Sequence, residues 1–217
     1  MYITMLWELW VCIMSNSMQI KDKIKNISKN KNVEFNVLLR NYMYERFIER
    51  LAYSKYRDNF ILKGGYYLSI LFGLDTRTTM DIDLSLKNAI LSEDNVKNIV
   101  KEIIVLDIGD NAIISFDDIG VIREEDEYGG YRVKLTVKID NIRETFNIDI
   151  STGDPITPRD IIYKYESMLD YKYIDLRSYN LETILAEKLE TILSRKELSS
   201  RLKDYYDIYL IYNFGKR

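Results

Sequence analysis

The 217-residue sequence contains no histidine and only one cysteine, Cys12. Lack of imidazole excludes histidine-based acid-base and triad chemistry, and a lone thiol excludes an intramolecular disulfide and zinc sites built on Cys or His. Any catalysis must use carboxylates, lysine, hydroxyls or a metal ion held by oxygen. Proline is scarce too: Pro155 and Pro158 are the only two, and both fall in the stretch Gly153 to Arg159, which reads as a connection between two parts of the chain. The one long apolar run is the N-terminal MYITMLWELWVCIM. It is too short to span a bilayer and lacks the basic start and small-residue cleavage site of a signal peptide. Residues 1–18 are expected to be an apolar extension or an upstream start, with Met14 or Met18 opening the protein proper. A cytoplasmic location with no membrane partner follows.

What is present supports one substantial core: 47% of residues are apolar, and the net charge is −3. The charge is uneven, with 11 basic against 5 acidic residues from Lys21 to Lys63. Within that stretch Phe35, Leu38, Leu39, Tyr42, Ile48 and Leu51 recur at helical spacing, so residues 33–54 read as an amphipathic helix. Arg40, Arg46 and Arg50 would then lie on its basic outer face, either simply solvated or facing nucleic acid. Residues 92–105 read as a further helix. Tyr131 to Ile139 alternates apolar and polar as a strand, Asp140-Asn141 offers a turn, and Thr145 to Ser151 returns as a second strand.

The chemistry concentrates in Lys63 to Leu86, KGGYYLSILFGLDTRTTMDIDLSL, where two glycines precede two aspartates separated by one residue. On a strand Asp81, Asp83 and Ser85 share one face while Ile82, Leu84 and Leu86 point into a core. Neighbouring carboxylates repel, and a hard divalent ion such as Mg2+ relieves the repulsion. If the strand carrying Asp149 pairs near this one, Asp149 completes a carboxylate triad; otherwise it is a solvated strand residue.

Two helices near the C-terminus carry charges on apolar faces. In LETILAEKLETILSR, Lys188 falls within the arc of Leu181, Ile184, Leu185 and Ile192. In RLKDYYDIYLIY, Asp204 shares a face with Ile208 and Ile211, and Asp207 lies nearer the edge. Lys188 is either a phosphate-binding cation in a cleft or half of an ion pair, with Asp204 as the obvious partner.

The order Lys63-Gly64-Gly65, Leu68, Arg77-Thr78, Asp81-Ile82-Asp83, then Ala186-Glu187-Lys188-Leu189 and Arg201-Leu202-Lys203-Asp204 resembles the AbiEii/AbiGii-type nucleotidyltransferase toxins of the DNA polymerase β-like superfamily. The resemblance covers roughly residues 33–215. It implies an α+β protein: a small mixed sheet with flanking helices over residues 19–152, and a helical C-terminal lobe over 153–217 that closes the cleft. It implies toxins of bacterial toxin-antitoxin and abortive-infection systems that move a nucleotide from an NTP to RNA, with tRNA 3′ ends as the target in relatives. The partners implied are NTP, RNA and a cognate antitoxin, and the cofactor is Mg2+ or Mn2+. By the same resemblance Asp81, Asp83, Lys188 and Asp204 are catalytic, Asp81, Asp83 and Asp149 hold metal, and Lys63, Gly64, Gly65, Arg77, Thr78 and Lys188 contact nucleotide. Tyr66 departs from the pattern, because many members place Ser or Thr there to touch a phosphate. Transfer to a small molecule or a protein side chain, and a catalytically inactive nucleotide-binding module, are the rival expectations.

Overall fold

A computed structural model describes residues 16–122, 129–153, 155–195 and 202–215. Most of the expected N-terminal extension and Arg201 of the RLKD motif lie outside the described residues. The elements run α1 (Asn16–Lys31), α2 (Phe35–Tyr53), β1 (Phe60–Lys63), α3 (Gly64–Phe72), β2 (Asp81–Leu86), α4 (Glu93–Ile104), β3 (Ile113–Ile122), β4 (Gly130–Ile139), β5 (Ile142–Ser151), β6 (Ile161–Glu166), β7 (Tyr173–Ser178), α5 (Leu181–Arg195) and α6 (Leu202–Phe214). The architecture is α+β, as expected.

One mixed sheet of seven strands, in the order β3-β4-β5-β2-β1-β7-β6, carries the molecule. Local signals set its boundaries. Asp140, at φ 49°, turns β4 into β5 so that Ile139 and Ile142 pair directly. Ser92 caps α4 by accepting from Asn95 N at 3.4 Å, with Glu93 and Asp94 in the first turn where the helix dipole favours negative charge. The buried face of α4, Val96, Ile99, Val100, Ile103 and Ile104, covers β3 and β4, whose inward residues include Val133, Leu135, Val137 and Ile139. Strand alternation thus divides the sheet: one face is packed under α2 and α4, and the other displays the polar row of each strand.

Three expectations change. The segment 153–217 is not helical throughout, because β6 and β7 form an antiparallel hairpin that joins the sheet through the parallel pair β7 and β1. Strand β3 and the hairpin β6-β7 are not marked in the sequence reading: β3 and β6 are the two edge strands, whose exposed positions break the alternation of a half-buried strand, whereas β7 lies inside the sheet and alternates exposed with buried positions. The arginines of α2 are the third change. From Asn41 to Ala52 the helix is buried on all sides, and Arg46 is 1% exposed. Arg46 sits among Glu45, Glu49 and Asp110, and Arg50 grips Asp110 by two hydrogen bonds of 2.8 Å. Arg40 pairs with Glu144 at 2.5 Å. These cations stitch the core together and form no basic outer face; Asp110 is 60 residues away in sequence, beyond the reach of helical periodicity.

Candidate functional site

Strand β2 lies between β1 (antiparallel) and β5 (parallel), and the register sets Lys63 opposite Asp83, Asp83 opposite Asp149, and Asp149 opposite Arg132. Residues in register project from the same face of a sheet. Four neighbouring strands therefore carry one transverse row of charges, positive, negative, negative, positive, with rungs about 4.8 Å apart. The next row holds Asp81 beside Asn147, whose amide nitrogen donates to Asp81 Oδ1 at 3.3 Å, and then Lys134. The strand carrying Asp149 thus adjoins the Asp-Ile-Asp strand directly, and the three carboxylates share one face.

The two glycines shape the space beside Asp83. Gly64 opens α3 at φ 65°, and a Cβ there would stand 2.7 Å from Asp83 Cγ and closer still to its Oδ2. Only glycine satisfies both the backbone angle and the clearance. A Cβ on Gly65 would lie 3.1 Å from both Arg77 Nη2 and Thr79 Oγ1. Lys63 precedes the helix without capping it by side chain, and Gly65 N donates to Asp83 Oδ2 at 3.3 Å. An N-terminus whose dipole faces a half-buried carboxylate is electrostatically suited to anions.

Burial, then the charge of Asp149, raises the Asp83 pKa above the ordinary carboxylate value, while Lys63 and the Gly65 N–H oppose the shift. Arg132 donates to Asp149 from Nε and Nη2, each at 2.7 Å, and that hydrogen-bonded pairing raises its own pKa. Asp81, Asp83 and Asp149 are hard oxygen donors of the kind divalent cations take, and the clearance at Gly64 keeps one carboxylate oxygen close to the helix start. Among the described residues no three carboxylates already converge as a metal cluster. A cation shared with Asp81 and Asp83 would compete with Arg132 for the Asp149 carboxylate.

The second wall comes from α5 and α6. Lys188 Nζ lies 2.6 Å from Asp204 Oδ1 and 3.0 Å from Asp207 Oδ2, so the ion-pair alternative is what its contacts display. Burial lowers its pKa, but the hydrogen bond to Asp204 and the charge of Asp207 outweigh this and the net shift is upward. Asp204 keeps Oδ2 buried without a hydrogen-bond partner. Helical spacing sets Asp207 near the edge of the apolar face; it is fully buried and also accepts from Arg77 Nε at 2.7 Å and Nη2 at 3.3 Å. Arg77 and Lys188 thus meet at one aspartate, which ties the loop before β2 to both C-terminal helices. Lys63 Nζ reaches Glu187 Oε1 at 3.6 Å, so α5 stands over the polar face at β1.

Thr78 is exposed beside this junction, and its carbonyl accepts from Arg77 Nη1. Tyr66 points the other way. It is wholly buried, meets Tyr44 edge-on with centroids 5.7 Å apart, and burial holds its phenol well above the ordinary pKa. A phosphate contact from Tyr66 is excluded by that placement. Asp207, Asn147 and Arg132 escaped the sequence reading; the register that makes β5 neighbour β2 and β4 would have found the last two.

A family model described as nucleotidyl transferase AbiEii toxin, type IV toxin-antitoxin system, matches residues 46–216. Two solved Helicobacter pylori structures are similar. JHP933 has 22% identity and a TM-score of 0.54 over 85% of this chain and 69% of its own. A second protein, described as a nucleotidyltransferase, has 21% identity and a TM-score of 0.55 over 85% of this chain and 72% of its own. At such identities the likeness is one of fold. No curated protein matches the chain.

Proposed function

The chain belongs to the AbiEii nucleotidyl transferase toxin family of type IV toxin-antitoxin systems, and on that premise we propose that it transfers a nucleotide from an NTP to RNA, in a divalent-metal-dependent reaction, with a tRNA 3′ end as the acceptor. Its class as a nucleotidyltransferase, and an antitoxin as its counterpart, follow from the family. No helix among the described residues is long and apolar enough to cross a membrane. Metal, acceptor and the roles of individual residues are the proposal.

The observation that carries this reading is the start of α3 set against Asp83 by a glycine that no other residue can replace. A triphosphate approaching that helix start meets backbone N–H groups and the positive end of the dipole, with Lys63 at the flank. In this reading Asp81 and Asp83 would hold the cation, and Asp149 would join them or accept the proton of the attacking hydroxyl in exchange for its pairing with Arg132. The ion's contribution would be to neutralise charge on the leaving pyrophosphate and to acidify the attacking hydroxyl. The hydroxyl oxygen bonds to the α-phosphorus as the bond to pyrophosphate breaks.

Lys188, Asp204, Asp207 and Arg77 play a different part. Their mutual pairing fixes α5 and α6 against the loop that leads to Asp81. Lys188 is a phosphate ligand only if a nucleotide draws it from Asp204; in either case it positions the wall of the cleft. We treat α5 and α6 as the closing element and the sheet with its flanking helices as the catalytic body.

The test is to incubate the purified protein with each of the four NTPs, labelled at the α-phosphorus, together with Mg2+ and total tRNA, other RNA, small-molecule acceptors or protein. Label appearing on tRNA supports the reading. Label confined to a small molecule or a protein contradicts the acceptor assignment, and no label on any acceptor contradicts the reading as a whole.

A further inference from the structure

On the polar face of β3, β4 and β5 the side chains of Arg132, Lys134, Lys138, Arg143 and Thr145 are exposed, whereas the opposite face of β3 and β4 is packed under α4. Register joins Lys138 to Arg143, and it places Lys134 in the row of Asp81, two strands away and about 10 Å across the sheet. Along β4 the cations at 132, 134 and 138 cover about 20 Å at the strand rise of some 3.4 Å per residue.

On β3, β4 and β5 the four cations of this face, Arg132, Lys134, Lys138 and Arg143, exceed its three carboxylates, Asp117, Asp118 and Asp149, by one. Asp149 is held by Arg132, and Asp117 accepts a hydrogen bond from Thr136. Asp118 sits opposite Lys134 in register. Lys134, Lys138 and Arg143 form no ion pair within 4.0 Å among the described residues. Past the turn, Lys21 Nζ lies 3.4 Å from Asn141 Oδ1, and α1 exposes Lys23, Lys29 and Lys31, with Lys25 paired to Asp22 at 3.9 Å. Solvated cations at the rim of a carboxylate site do nothing for a metal, but they suit a polyanion that must bring one end to that site.

The geometry points to the open face of β4 and β5, through Lys134, Lys138 and Arg143, as the docking surface for the phosphate backbone of an RNA acceptor whose terminal hydroxyl reaches Asp81 and Asp83. This assignment rests on the RNA reading above and names the surface for it. It also accounts for the arginines of α2, which the core consumes: the RNA-facing charge lies on the sheet and on α1.

The experiment compares the full chain with a Lys134→Gln, Lys138→Gln, Arg143→Gln variant and a charge-preserving Lys134→Arg, Lys138→Arg, Arg143→Lys variant. The probe is a fluorescently labelled RNA stem with a single-stranded 3′ end, titrated at several salt concentrations. The expected result is affinity at least about tenfold weaker for the Gln variant, with the slope of log K against log salt reduced by about 2. The charge-preserving variant should bind as the parent does, and thermal stabilisation by NTP with Mg2+ should be equal in all three. Equal affinity and slope in the Gln variant, while the parent labels RNA, overturns the surface and leaves the RNA reading standing. Loss of binding in the charge-preserving variant also overturns it. A parent protein that neither binds nor labels RNA overturns the acceptor reading itself.

Discussion

Arg132 and Asp149 face each other across β4 and β5, and two hydrogen bonds of 2.7 Å occupy both carboxylate oxygens. The guanidinium therefore stands where a cation shared by the three carboxylates would draw Asp149. Arg132→Gln is expected to lower the Mn2+ concentration needed for half-saturation several-fold, as measured by calorimetric titration. Stability should change by no more than about 1 kcal/mol, because the Arg132 side chain is 47% exposed. Unchanged Mn2+ affinity would remove Asp149 from the metal set.

Gly64 and Gly65 should respond differently to alanine. At Gly64 the new Cβ collides with the Asp83 carboxylate at a backbone angle that L-residues adopt at a cost of about 1–2 kcal/mol. Displacing Asp83 by about 1 Å should slow transfer on the order of a hundredfold. At Gly65 the backbone angle is not strained and the nearest atoms, Arg77 Nη2 and Thr79 Oγ1, stand 3.1 Å away, so the loss should be smaller. Urea unfolding and single-turnover transfer by both variants check this, and equal losses would contradict it.

Asp207 is the buried aspartate that both Arg77 and Lys188 share. Asp207→Asn leaves two cations short of charge in the interior and should cost about 3–5 kcal/mol in urea unfolding. Asp204→Asn leaves Lys188 still paired with Asp207 and should cost less. The reverse ranking would mean that Asp204 holds the two helices together.

Glu45 lies in the core with its pKa raised to about 7, chiefly by burial, against hydrogen bonds from Tyr165 and Met168 N. A carboxyl with a raised folded pKa holds its proton more tightly in the native state. Its contribution to stability is complete below the unfolded pKa near 4.5 and is lost as pH rises to about 7. Stability should therefore fall by on the order of 3 kcal/mol between these limits relative to Glu45→Gln. Urea unfolding of both proteins at pH 4.5 and pH 7.5 measures the difference, and parallel pH profiles would contradict it.

The part of the site borne by local pattern was legible in the sequence. Period-two alternation revealed the shared face of Asp81 and Asp83, and the apolar arc on α5 marked Lys188 as a charge needing a partner. What escaped depends on elements far apart in the chain. Lys188 has two candidate partners on α6, and helical spacing alone underrates Asp207, which is fully buried and accepts from Arg77, 130 residues away. Arg46 and Arg50 carry the same charge as solvated residues, and only the return of Asp110 reveals them as core. The row from Lys63 to Arg132 needed the strand order, which no local signal contains.

The most direct measurement is single-turnover transfer of labelled nucleotide to tRNA by the parent protein, Asp81→Asn and Asp83→Asn, with Mg2+ and with NTP binding followed separately by thermal stabilisation. The account predicts label on tRNA with the parent and a loss of at least about a thousandfold in each variant, as fits removal of a charge that acts on the transition state. Transfer at the parental rate by Asp83→Asn, with the protein folded, would contradict it.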